Sequence, residues 1–313
     1  MRFFVRSKRT RICLVLGMFT IPIHLAQAQA ELSEGDVYDQ AELLHQEVER
    51  IRQQLGVLPP RSRTFRLENA QPRHVYFQTQ VAFRRSNLLA HQQTGVSTVA
   101  APVAPEGDPS LAQVHSIIQA TRAQLDVVKE VLEIDPAISE TKRGRGKNVS
   151  GALMEVIRSN EILGEVTEFS ADWSDIWDRL NLIMAYIGGL LPEGSRYPEL
   201  AEYVPRKMPG DVALRLFATR AAFAPVAESV GVAELKVTVI RSPEGGTSST
   251  SVHDVSMTLI NDIAEVTLRL GAEDVDPPGY VRPSRVLPSH VFQLAGALLE
   301  QAKAVGDAHK ANR

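Results

Sequence analysis

Apolar residues recur at alternating intervals of three and four along much of the chain. Val37, Ala41, Leu44, Val48, Ile51 and Leu55 stand at offsets 0, 4, 7, 11, 14 and 18, and Val114, Ile118, Thr121, Leu125, Val128 and Leu132 repeat those offsets. Ile176, Leu180, Ile183, Ile187 and Leu190 carry the pattern a third time, Val255, Leu259, Ile263 and Val266 keep a looser version, and Val291, Leu294, Leu298, Leu299 and Val305 form another stripe. Such spacing puts one apolar seam on a helix packed in a bundle. The segment ELKVTVIR at 234–241 instead alternates like a strand. No second run offers it a partner, so it is read as an extended crossover.

Polar punctuation marks where the helices begin. Ser33 with Asp36, Ser110 with Gln113, Asp172 with Asp175 and Ser251 with Asp254 each place a cap residue three positions before an acid or amide. That is the capping-box arrangement, in which the two side chains accept each other's backbone N–H. A second kind of start alternates with the first: Gln71-Pro72 with His74, Met208-Pro209 with Asp211, Leu287-Pro288 with His290, and a Pro-free copy at Arg145 with Asn148. Proline at the first helical position loses no hydrogen bond, since that N–H has no intrahelical partner. Eight helix starts are therefore expected.

The residues after these starts, Val37, Val75, Val114 and Val149, map onto Ile176, Val212, Val255 and Val291 at offsets of 139, 137, 141 and 142. The reading is an all-α fold built by internal duplication of a four-helix unit, giving two tandem helical bundles over residues 31–169 and 170–313. A continuous eight-helix stack is the alternative, because the linkers inside each half are long and contain Pro.

Residues 1–30 change the picture of where the chain works. MRFFVRSKRTR carries five basic residues and no acid, the apolar run ICLVLGMFTIPI follows, and HLAQAQA supplies a small-x-small site. This reads as a signal peptide cut near Ala28 or Ala30. The expected product is periplasmic or secreted, soluble, and without stable membrane insertion after cleavage. Cys13 is the only cysteine, so thiol chemistry and disulfides are excluded from the mature chain. Without the leader, 29 basic residues face 37 acidic ones, a net charge of −8, and no nucleic-acid partner is expected of so acidic a body.

Candidate chemistry is sparse. His74 and His290 occupy a slot that Asp36, Gln113, Asp175 and Asp211 fill elsewhere, so they are read as helix-capping side chains rather than metal ligands, neutral at pH 7 and replaceable by Asp. EDVDPPG at 273–279 approaches a calcium loop but has Pro278 and Arg285 where ligands belong. No cofactor or metal is expected. The segment VYFQTQVAFRRSNLLAHQQTG after Val75 is the most polar of the helices, and its Arg84, Arg85, Asn87 and His91, with Arg122 and Arg220 on other helices, are the candidates for a ligand pocket near helices 2 and 6. Lys142, Arg143, Arg145 and Lys147, just before a helix start, are the candidates for anion binding. No nucleophile elbow, phosphate loop, haem site or carboxylate pair is found. The leading expectation is a non-catalytic envelope protein that binds a protein partner, forms a homo-oligomer or scaffolds an assembly. A periplasmic small-ligand sensor or carrier stands second, and an enzyme without a recognisable motif third.

Overall fold

The capped seams form helices because each start satisfies its free N–H groups locally. In the computed structural model, which describes residues 32–58, 65–95, 98–105, 107–135, 147–167, 171–191, 195–232, 236–239, 247–272 and 276–311, Ser33 and Asp36 form a reciprocal capping box at α1, Glu34–Gln54. Ser110 and Gln113 do the same at α3, Leu111–Val131. The Pro-type starts open α2, Pro72–Thr94, α6, Pro209–Ser229, and α8, Pro288–Ala311. Asp211 Oδ2 accepts the Met208 N–H at 2.8 Å, His74 Nδ1 that of Gln71 at 2.8 Å, and His290 Nδ1 that of Leu287 at 3.1 Å. Asp172 caps α5, Trp173–Gly188, through the Ser174 N–H.

Two starts differ from the expected register. Asn148 is the N-cap of α4, Val149–Val166, accepting from the Gly151 N–H at 2.9 Å, not its third residue. At α7, Ser249–Arg269, the cap is Ser248, which accepts from Ser251. The serine-rich approach to α7 offers several equivalent caps, and the upstream one adds most of a turn. Asp254 is thereby released from capping and buried.

The described residues are all-helical apart from two short strands. β1, Phe65–Glu68, pairs antiparallel with β2, Lys236–Val239, with Phe65 opposite Val239 and Glu68 opposite Lys236. The crossover expected at 234–241 thus has a strand partner. Only four residues pair on each side, and the partners lie far apart in the chain, so no local turn signal announces them. The expected leader with Cys13, and Lys142, Arg143 and Arg145, lie outside the described residues, as do 273–275 of the calcium-like segment. Among the described residues no helix is long and apolar enough to cross a membrane.

Leu32–Arg313 clusters as one compact unit. Within it the buried apolar side chains form two clusters, one from α1 to α4 around Leu44, Ile51, Ile118, Leu125 and Leu153, the other from α5 to α8 around Trp177, Leu180, Ile183, Ile263 and Leu298. In the first set α1 and α2 each pack on α3 and α4; in the second, α5 and α6 each pack on α7 and α8. The two sets meet where α2 and α4 touch α7 and where β1 pairs with β2.

Candidate functional site

The junction between the two sets is polar because α2 and α7 each carry a second buried stripe. On α2 it is His74, Gln78 and Arg85; on α7 it is Asp254, Thr258 and Asp262. Helical spacing stacks each stripe along one line beside the apolar seam. Gln78 Nε2 donates to the Asp254 carbonyl and to Thr258 Oγ1, both at 2.9 Å, while Asn160 Nδ2 of α4 donates to the Gln78 carbonyl at 3.0 Å and to Gln78 Oε1 at 3.1 Å.

One end of this layer is a hub on Asp262. His74 Nε2 and Arg220 Nη2 contact its two oxygens, and Arg73 Nη2 approaches at 3.5 Å. Burial alone would raise the Asp262 pKa, but Arg220, His74 and Arg73 outweigh it and hold the carboxyl well below the usual carboxylate range. The His74 pKa is lowered as well: burial first, together with the charges of Arg220 and Arg73, outweighs the pull of Asp262 and disfavours the imidazolium. Since Nδ1 accepts the Gln71 N–H, the neutral ring carries its proton on Nε2 and donates to Asp262. Both ring nitrogens are committed, which leaves neither for proton transfer to a substrate. Arg73 also reaches Asp108 at 3.6 Å, Asp108 pairs with Arg269 at 2.9 Å, and Arg269 bonds Glu265. Three arginines therefore balance three carboxylates, and the hub is electrically closed.

At the other end Arg85 and Asp254 form a bidentate pair, at 3.1 and 3.3 Å, with Arg85 Nη1 also donating to the Asn160 carbonyl at 2.9 Å. His253 Nδ1 lies 3.3 Å from the same carboxylate. Burial raises the Asp254 pKa, and Arg85 and His253 more than reverse the shift, so the group is ionised. Beside this pair opens a recess of about 260 Å³ lined by Val81, Arg84, Arg85 and Leu88 of α2, Arg179 of α5, and His253 and Met257 of α7. Arg179 Nη1 bonds the Ser256 hydroxyl at 3.3 Å rather than a carboxylate. Its pKa is lowered, first by burial and further by the charge of Arg84, against the opposing pull of Asp175 and Asp254. Among the described residues neither Arg84 nor Arg179 has a carboxylate in ion-pair contact.

The structure brings Arg84 and Arg85 together at this recess and places the other candidates elsewhere. Asn87 binds the α2–α3 linker, accepting the Val99 N–H at 3.0 Å; Gln80 Nε2 donates to the Pro102 carbonyl and Tyr76 Oη to that of Val103, each at 3.1 Å. These contacts explain why α2 is so polar: one face meets α7 and another holds a linker. His91 is exposed in the last turn of α2. Arg122 ties α3 to α1, bonding Glu47 at 2.8 and 3.2 Å and Gln40 at 2.6 Å, and Lys129 joins Glu47 at 3.1 Å. Arg220 belongs to the hub. Lys147 is held by Asp39, with Glu42 at 3.6 Å and the Tyr38 ring below it. The recess lies against α5 and α7 rather than α6, so Arg179, His253 and Met257, with Val81 and Leu88 on α2, are lining residues that the sequence did not single out. The polar period at Asp254, Thr258 and Asp262 was the available signal for the junction, hidden because Asp254 passed as a cap.

Asp254 and Asp262 are each engaged by arginine, and among the described residues no group of three His, Cys, Asp or Glu is placed to hold a metal ion. What the arrangement offers is a small half-open site with guanidinium groups from α2 and α5 and an apolar patch at Val81, Leu88 and Met257. Comparison of the chain with protein families, with curated proteins and with solved structures finds no match.

Proposed function

We propose that this chain is an exported, non-catalytic helical protein that binds a small ligand in the recess between α2, α5 and α7, as a sensor or carrier. One contrast carries the reading. Every cation of the Asp262 hub has a carboxylate partner, whereas Arg84 and Arg179, a few turns away, face a cavity without one. Like charges held together are destabilising unless something resolves them, and in a body with an acid excess the sequence has acids to spare. The volume, just below the roughly 300–1,000 Å³ of drug-sized sites, suits a compact metabolite rather than a polymer. A thermal-shift screen of purified mature protein against neutral, cationic and anionic metabolites is the test. A ligand at 100 times its dissociation constant should stabilise by about 2.7 kcal/mol. A screen in which nothing stabilises the parent more than it stabilises an Arg84→Ala/Arg179→Ala double variant removes the proposal.

The protein-binding or scaffold reading moves to second place. Its support is the exposure of Leu58, Val103, Leu268 and Val281, each more than 70% exposed, but they stand on separate segments, and single exposed apolar residues are ordinary on monomeric proteins.

The duplication belongs to the same proposal, with units at 31–169 and 170–313 following a leader cut near Ala28 or Ala30. Matching helix pairings support it, and so does one repeated detail. Ser150 Oγ, at the second residue of α4, accepts the Ala70 N–H at 2.9 Å, and Ser289 Oγ, at the second residue of α8, accepts the Lys207 N–H at 3.0 Å. In this account the second unit's α7 is the partner that the first unit's α2 and α4 acquired, and the recess arose at the seam between copies.

A further inference from the structure

The chemical class of the ligand follows from the walls of the recess, an inference that rests on the binding role just proposed. Arg84 and Arg85 come from α2 and Arg179 from α5, so guanidinium groups approach the cavity from two elements. Among the described residues, the ionisable groups that line it or act on Arg179 are three arginines, His253, and the acids Asp254 and Asp175. Asp254 is taken up by Arg85 in a bidentate pair. Asp175 is exposed and acts on Arg179 only through space, without ion-pair contact. Positive charge is left over, and it sits on Arg84 and Arg179. The residual donors are planar forks, whose geometry matches the oxygens of a phosphate or carboxylate.

The remaining wall is apolar. Val81 and Leu88 lie seven residues apart on α2, two turns along one face, and Met257 comes from α7 opposite them. Methionine adapts to irregular apolar surfaces because its side chain is unbranched and polarizable. A free inorganic anion would use the cations and leave this patch wet; an apolar molecule would cover the patch and leave the cations unresolved. We infer that the recess takes a compact organic anion, a phosphate or carboxylate head on a short apolar stem, with the head between Arg84 and Arg179 and the stem on Val81, Leu88 and Met257. Arg85 is then a positioning residue: its charge is spent on Asp254, and it holds α2 and α7 at the spacing that keeps the cavity open.

Titration calorimetry at matched ionic strength tests this on the mature protein with four probes: butyl phosphate, pentanoate, inorganic phosphate and butylammonium. Butyl phosphate or pentanoate should bind, and whichever head is preferred identifies the source. Inorganic phosphate should bind at least roughly tenfold more weakly than butyl phosphate, the stem being absent. Arg84→Gln, at an exposed position, and Arg179→Gln should each weaken the bound organic anion by roughly tenfold or more, with melting temperatures near the parent's, and Met257→Ser should weaken it while leaving inorganic phosphate unaffected. Binding of butylammonium alone, or of anions equally by parent and by both arginine variants, overturns the inference. A neutral or cationic metabolite displaced by Arg84→Ala/Arg179→Ala would keep the binding role and remove the anion; no ligand of any kind removes both.

Discussion

Asp262→Asn takes one negative charge out of the junction at nearly constant volume. In the native protein the Asp262 side chain is 12% exposed, and it faces Arg73, 5% exposed, and Arg220, 9% exposed. Deleting one member of a buried pair leaves the other as an uncompensated charge, at a cost of about 3–5 kcal/mol. Arg73 retains Asp108 at 3.6 Å, so the lower end applies and the loss should be about 3 kcal/mol, a fall in melting temperature of roughly 10 °C for a unit of this size. The pH dependence has a definite sign. The folded pKa is depressed below the ordinary value of 3.8, so the contribution of Asp262 is complete well above that value and is lost as the pH falls through and below it. Parent and variant should differ most at neutral pH and converge on acidification below about pH 4. Urea denaturation followed by far-ultraviolet circular dichroism over that range measures both effects, and a cycle with Arg220→Gln isolates the pair. A variant within about 1 kcal/mol of the parent at neutral pH, or a gap that ignores pH, would refute the reasoning from buried charge.

His74→Asp and His290→Asp, equivalent as caps, should now separate: the first removes the Nε2 donor from Asp262 and sets a second carboxylate beside it, at about 3 kcal/mol or more, while the second, partly exposed beside Tyr203, should lie within about 0.5 kcal/mol of the parent. Paired melting curves decide. Gly306→Ala would bring a Cβ within 2.6 Å of the Ala222 carbonyl oxygen and should destabilise the α6–α8 seam by about 1–3 kcal/mol, read from the same curves; no loss would mean that the helices separate freely. Ser150→Ala and Ser289→Ala each strand one backbone N–H and should cost about 1 kcal/mol apiece; unequal costs by urea denaturation would weaken the case for duplicated units.

Most of the helical framework was legible because its causes are local. A seam of the kind running from Val37 to Leu55 needs only helical period to line up, and Ser33 with Asp36 needs only four residues to close a box. His74 and His290 were rightly placed at the third helical position for the same reason. The register errors at Asn148 and Ser248 also have a local cause, since neighbouring polar residues compete for one cap. The recess was half legible: Arg84 and Arg85 stood out as charges interrupting an apolar pattern, whereas nothing local to Arg179 or His253 shows that α5 and α7 come to lie beside those arginines.

By itself, then, the chain determined where its helices begin, which stripe of each turns inward, and that residues 31–313 carry an excess of acid. Each follows from periodicity, caps or composition, properties a short segment possesses alone. Only the tertiary structure decided what the polar residues are for. Asp262 becomes a hub because α7 is laid beside α2, nearly 190 residues away in sequence, and β1 finds β2 by the same docking. The charge on Arg122 is cancelled by Glu47, and that on Arg84 is left standing, because of what each helix happens to face. Electrostatic pairing depends on distances between segments, and no single segment contains them.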